Sequence, residues 1–124
     1  MFENKIIIYK YNGGPITIEI KAKYATLGSY SIAYLLGDVT TKLGDGKLSD
    51  AIPDIYILPV SIGDLTNCRV YIAGTYVSAP GHNEIDVEYH FSQDGNETAG
   101  DNPIIIEKNQ SALSATHSIK FKTA

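Results

Sequence analysis

The run Ile6-Ile7-Ile8-Tyr9-Lys10-Tyr11, the turn Asn12-Gly13-Gly14-Pro15 and the run Ile16-Thr17-Ile18-Glu19-Ile20 constrain this chain more than any other stretch. β-Branched and aromatic side chains suit a pleated, half-buried surface, and Asn-Gly supplies the positive φ angles of a type I′ turn. The pattern predicts a tight hairpin and, with it, a β protein.

A period of two recurs downstream. Thr17, Glu19, Lys21 and Lys23 alternate with Ile18, Ile20, Ala22 and Tyr24, while Ile85, Val87, Tyr89 and Phe91 alternate with Asp86, Glu88 and His90. Alternation of this kind marks strands with one face on a core. Residues 115–122 repeat it, and residues 30–36, 54–60, 68–77 and 103–107 are further strand candidates, with 31–36 also readable as a short helix. The expectation is a single antiparallel β-sandwich over residues 1–124. It should be jelly-roll or immunoglobulin-like, with about seven to nine strands and at most one short helix.

Three gaps, residues 37–53, 79–83 and 92–102, hold much of the Gly, Asp and Asn and read as surface loops. The last has no large apolar side chain to offset the cost of ordering its backbone, so it should be the most mobile. If every connection reverses the chain, the Asn12 turn and the 92–102 loop fall at opposite ends of the sandwich.

Ten Lys and Arg against fourteen Asp and Glu leave a net charge of −4 and no basic stripe for phosphate backbones, so nucleic acid is not an expected partner. Cys68 is the only cysteine, so it forms no intrachain disulfide and reads as a small buried hydrophobe. Met1-Phe2-Glu3-Asn4-Lys5 lacks the order of a signal peptide, and no apolar run approaches the ~20 residues that cross a bilayer. A cytoplasmic or virion-type product fits, and non-classical export is compatible with it.

Asp94, Asn96, Glu97 and Asp101 offer the hard oxygens that calcium prefers, and Asp64 and Asn67 could join them, although the spacing is not that of an EF-hand. Asp38, Asp50 and Asp54 around Gly44-Asp45-Gly46 form a second acidic group. Glu88 and His90 could give two zinc ligands from one strand face, but nothing nominates a third, and an exposed polar face is the plainer reading. His117 falls on the apolar side of its strand as a hydrogen-bonded core-edge histidine, and His82 sits in a loop. No nucleophile elbow, phosphate loop, dinucleotide fingerprint or zinc-protease motif occurs, which predicts a non-enzymatic protein with no cofactor other than calcium.

Two strands read as apolar on both faces: the first, with Ile7, Tyr9 and Tyr11 on one side, and residues 68–77, with Tyr71 and Val77. Such strands need a covering layer or a subunit contact. They predict a non-catalytic binding or assembly module that associates with itself or another protein through Ile7, Tyr9, Tyr11, Tyr71 and Val77. The alternative is calcium-dependent recognition of a glycan or lipid headgroup by the acidic loops.

Overall fold

Alternating side chains resolve into two stacked sheets in a computed structural model, which describes residues 1–23, 26–48 and 52–124. The strands are β1 (Phe2–Tyr9), β2 (Thr17–Lys23), β3 (Thr26–Leu36), β4 (Val39–Leu48), β5 (Asp54–Ile57), β6 (Cys68–Ser78), β7 (Ile85–Gln93), β8 (Asn96–Glu97), β9 (Ala99–Gly100), β10 (Ile104–Lys108) and β11 (Ala112–Thr123). One 3-10 helix, Ile62–Asn67, precedes β6. The larger sheet runs β4-β3-β6-β11-β1-β9 and the smaller β10-β7-β2-β5, with β8 paired to β7. The chain is therefore an all-β sandwich. Among the described residues there are eleven strands, against the seven to nine expected, two of them only two residues long. Neighbours pair antiparallel except β1 and β11, which run parallel from Phe2↔Thr116 to Tyr9↔Thr123.

The predicted hairpin at Asn12-Gly13 does not form. β1 and β2 lie in different sheets, and the segment between them is a crossover in which the Gly13 N–H donates to Lys10 O at 3.0 Å. The Gln93 side chain grips it, accepting from Lys10 N (2.8 Å) and donating to Lys10 O (3.1 Å) and Gly14 O (3.0 Å). A Cβ on Gly13 would stand 2.7 Å from Gln93 Nε2, and one on Gly14 would stand 2.7 Å from Asp94 Oδ1. The glycine pair serves close approach to the end of β7, not a positive φ. Adjacent positive φ angles occur instead at Asp94 (52°) and Gly95 (80°), where β7 turns into β8 as a type I′ turn requires. Residues 10–14 and 93–94 thus touch, contrary to the opposite ends that chain reversal predicted.

Residues 31–36 are strand, and β4 occupies much of the expected 37–53 loop. Gly44 and Gly46 disguise β4 because their missing side chains leave room for rings. A Cβ on Gly44 would lie 2.6 Å from the Tyr56 ring, and one on Gly46 would run into Tyr30. The Tyr24 end of the second expected strand and Asp50 of the acidic group lie outside the described residues.

Between the sheets, Ile7, Ile18, Ile20, Ile32, Val70, Ile72, Val87, Phe91 and Phe121 form an apolar core. Tyrosine hydroxyls cross it as bonded groups. Tyr30 Oη donates to Asp54 Oδ2 at 2.6 Å and meets Tyr56 Oη at 2.5 Å, and the Tyr76 and Tyr89 hydroxyls bond each other. Burial pushes the Tyr76 phenol up to about 12 and raises Tyr30 and Tyr89 as well, so all three stay protonated and able to donate.

Candidate functional site

Ile7 and Tyr9, two of the predicted contact residues, face the core. Both are buried, and the Tyr9 ring meets Phe121 edge-on at a centroid distance of 6.5 Å. They cannot touch another folded molecule, because the smaller sheet already covers that side of β1. Tyr11 is exposed in the crossover, and Tyr71 and Val77 are half-buried on the outer face of β6.

Of the predicted calcium ligands, Asp94, Asn96 and Glu97 line one pocket beside Lys10, and Asp101 does not join them. Asp94 Oδ2 accepts from Gly14 N (3.1 Å), Asp101 Oδ2 accepts from Ile6 N (2.9 Å), Glu97 Oε1 faces His90 Nδ1 (2.5 Å), and Asn96 Nδ2 donates to Asp94 O (3.4 Å). Each carboxylate thus gives one oxygen to a protein partner, while Asn96 gives its amide nitrogen rather than the oxygen a cation would take. Among the described residues, no three His, Cys, Asp or Glu groups stand close enough to hold a metal ion. Residues 92–102 are also tied down, contrary to the mobile loop expected there. Asn102 Oδ1 accepts from Phe91 N (3.1 Å), while Nδ2 donates to Phe91 O and Thr98 O at 2.8 Å each and reaches Thr98 Oγ1 at 3.1 Å. Polar side chains supply the anchorage that apolar burial does not.

His90, His117 and Cys68 are engaged or sealed, while His82 stands exposed in the loop before β7. His90 Nε2 meets Glu88 Oε1 at 2.8 Å and Nδ1 meets Glu97, so neither ring nitrogen is open to a substrate. Burial works to raise the Glu88 carboxyl, but its bonds to Lys23 Nζ (2.7 Å) and His90 outweigh that and hold it below the usual range. His117 is fully buried against the Tyr89 ring at 5.4 Å. Its Nε2 lies 3.5 Å from Glu3 Oε2, an ion-pair distance without hydrogen-bond geometry, and Nδ1 has no partner, so the expected core-edge position is found without the expected hydrogen bond, and burial lowers its pKa. Cys68 is buried as expected, and desolvation pushes its thiol up to about 11.

Two surfaces remain. The outer face of the larger sheet carries a shallow groove of about 700 Å³ whose floor is Ser29, Ser31, Ala73, Thr75, Ser114 and Thr116, with Asp45 and Lys47 from β4 beside it. The second surface is the β5 edge. Ile52, Ile55 and Ile57 are 75%, 61% and 64% exposed there, while Asp54 and Tyr56 turn inward to Tyr30. Among the described residues β5 pairs only with β2, so its other backbone edge is open. Sequence reasoning found this strand but not its orientation, since the apolar residues face outward and the polar ones inward. Pro53 and Pro59, which flank it, were the available sign of an edge strand.

Compared with known protein families and with curated proteins, the chain matches none.

Proposed function

We propose that the protein is a non-catalytic assembly module that associates with a second copy of itself through the β5 edge. The observation that carries this reading is the exposed Ile55 and Ile57 on an open sheet edge without a charged side chain on its outward positions, with exposed Ile52 just before the strand. Open, apolar edges are templates for pairing, which is why most are blunted by charge. Antiparallel pairing of two β5 edges about a twofold axis at Tyr56 sets Ile55 of one copy beside the partner's Ile57, an isologous contact.

The scale of the contact follows from its size. Even complete burial of four isoleucine side chains across the dimer would yield at most roughly 6–12 kcal/mol gross, against roughly 4–15 kcal/mol for lost rigid-body freedom. A single contact is therefore weak, with a Kd no tighter than about 1 μM, and useful chiefly where copies are held in an array. The engaged His90, the sealed His117 and the buried Cys68 thiol support the non-catalytic part. The hydroxyl-floored groove favours a glycan as second reading, but it has no aromatic side chain exposed as a stacking platform, which ranks it behind the edge.

Sedimentation velocity across about 10 μM to 1 mM tests the proposal. The unmodified chain should shift from monomer toward dimer, and Ile55→Lys or Ile57→Lys should hold it monomeric with unchanged circular dichroism. A clean monomer throughout, or association undisturbed by either lysine, refutes it.

A further inference from the structure

Where β6 begins, two cations stand side by side on the outer face of the larger sheet. Arg69 on β6 and Lys120 on β11 are register partners, which sets their Cβ atoms about 5 Å apart and their side chains on one face. Like charges set opposite each other weaken a sheet, and a chain with a net charge of −4 has carboxylates enough to compensate them. Among the described residues, however, neither cation stands within ion-pair distance of a carboxylate. Arg69 is half-buried, and its Nη1 donates to Oγ of the buried Ser118 at 3.1 Å. That bond anchors the guanidinium and uses one of its five N–H groups, leaving four. Both cations line an open pocket of about 310 Å³ together with Leu35, Thr66 and Asn67, and no carboxylate lines it. Thr66 and Asn67 end the 3-10 helix, and Leu35 is the register partner of Arg69 on β3.

We propose that this pocket binds a single phosphate or sulfate group, with Arg69 and Lys120 supplying the charge and Thr66 and Asn67 the neutral donors. The guanidinium fork matches two oxygens of such a group, and the lysine ammonium acts as a point charge on a third. A planar carboxylate would be satisfied by Arg69 alone, whereas donors converge here from β6, β11 and the 3-10 helix, which suits a tetrahedral anion. Two cations make a site for one anion and not the track that a phosphate backbone needs, so nucleic acid stays outside this reading. Leu35 offers the rest of the pocket an apolar wall, so an ester fits as well as the free ion. Charge-assisted bonds in a site open to water give a Kd on the order of 1 mM. The pocket belongs to the larger sheet and β5 to the smaller, so failure of either proposal leaves the other standing.

Two-dimensional NMR of the isotope-labelled full chain is the test, with potassium phosphate exchanged for potassium chloride at constant ionic strength and neutral pH. The backbone amides of residues 66–69 and 120 and the Arg69 Nε–H should shift saturably, with a midpoint on the order of 1 mM, and sulfate should move the same signals. Arg69→Lys, which keeps the charge and loses the fork, should weaken binding about tenfold or more. Lys120→Gln, at an exposed side chain, should weaken it by about tenfold and serves if the first variant does not fold. Lys42→Gln, at a lysine paired with Asp45 on β4, should leave binding unchanged. Phenyl phosphate binding more tightly than inorganic phosphate assigns the site to an ester, and the reverse order assigns it to the free ion. Shifts that do not saturate, that spread equally over the other lysines, or that persist undiminished in either pocket variant overturn the site.

Discussion

Replacing Asn102 by alanine isolates what holds residues 92–102 in place. Its side chain reaches Phe91 N and O on β7 and Thr98 O and Oγ1 within the loop. The amide has only two N–H bonds for three acceptors, so Thr98 O and Oγ1 share one, and the network amounts to three hydrogen bonds rather than four. At about 1 kcal/mol net for each half-buried bond, the substitution should destabilise the fold by roughly 2–4 kcal/mol, a large part of a typical domain's stability. Phe91 O keeps its bond from Thr98 N at 3.0 Å, which argues for the lower half of that range. Urea unfolding gives the free energy. Limited proteolysis gives its location: the unmodified loop should resist cleavage, and the variant should be cut within 92–102. Asn102→Asp keeps the acceptor but sets a carboxylate oxygen against Phe91 O and Thr98 O, and should cost at least as much as alanine. A change below about 0.5 kcal/mol with the same proteolytic pattern would show that Asn102 does not hold the loop.

Gly46→Ala should destabilise the fold by about 1–3 kcal/mol in urea, because its Cβ drives into the Tyr30 ring, and adding Tyr30→Leu should recover part of that loss; simple additivity would mean that the ring is not the obstacle. Burial lowers the His117 pKa below its ordinary value of 6.5, so the unfolded chain binds the proton first and stability is lost as pH falls through and below that value. Melting temperatures measured from about pH 8 to 5 should decline, and His117→Leu should flatten the decline; an unchanged slope would assign it to other groups. Glu88 acts in a lower window, because its depressed pKa gives stability present above its ordinary value of 4.5 and lost only below it.

Alternation was a reliable guide because it reports which face is buried, a property each strand carries in its own residues. β2 and β7 lie where the period of two put them, and β11 extends beyond the expected 115–122 at both ends. Pairing is not carried in that way. Asn12-Gly13 is compatible with a hairpin, but its glycines are used to let Gln93 and Asp94 approach from a strand some eighty residues away. The same ambiguity hid β4, where Gly44 and Gly46 read as loop formers although they leave room beneath tyrosine rings. A glycine in sequence is a vacancy, and only the fold says whether a backbone angle or a neighbour's side chain fills it.

The candidate surfaces were harder to read for a related reason. Ile7 and Ile55 both stand in apolar strands, yet one is fully buried and the other 61% exposed. The difference lies in partners: β1 is flanked by β11 and β9 and covered by the smaller sheet, whereas β5 ends its sheet with Asp54 and Tyr56 drawn inward by the Tyr30 hydroxyl. Those inward bonds explain the outward isoleucines. In a strand of period two, turning a polar pair into the sandwich to satisfy a buried phenol necessarily turns the intervening positions to solvent. A polar residue there would be the ordinary choice for a free edge, and a four-residue strand set between Pro53 and Pro59 offers too little backbone to bind a partner alone. Isoleucine at both positions makes the side chains, not the ladder, the source of affinity, so loss of one isoleucine should weaken association more than a change that blocks a single edge N–H.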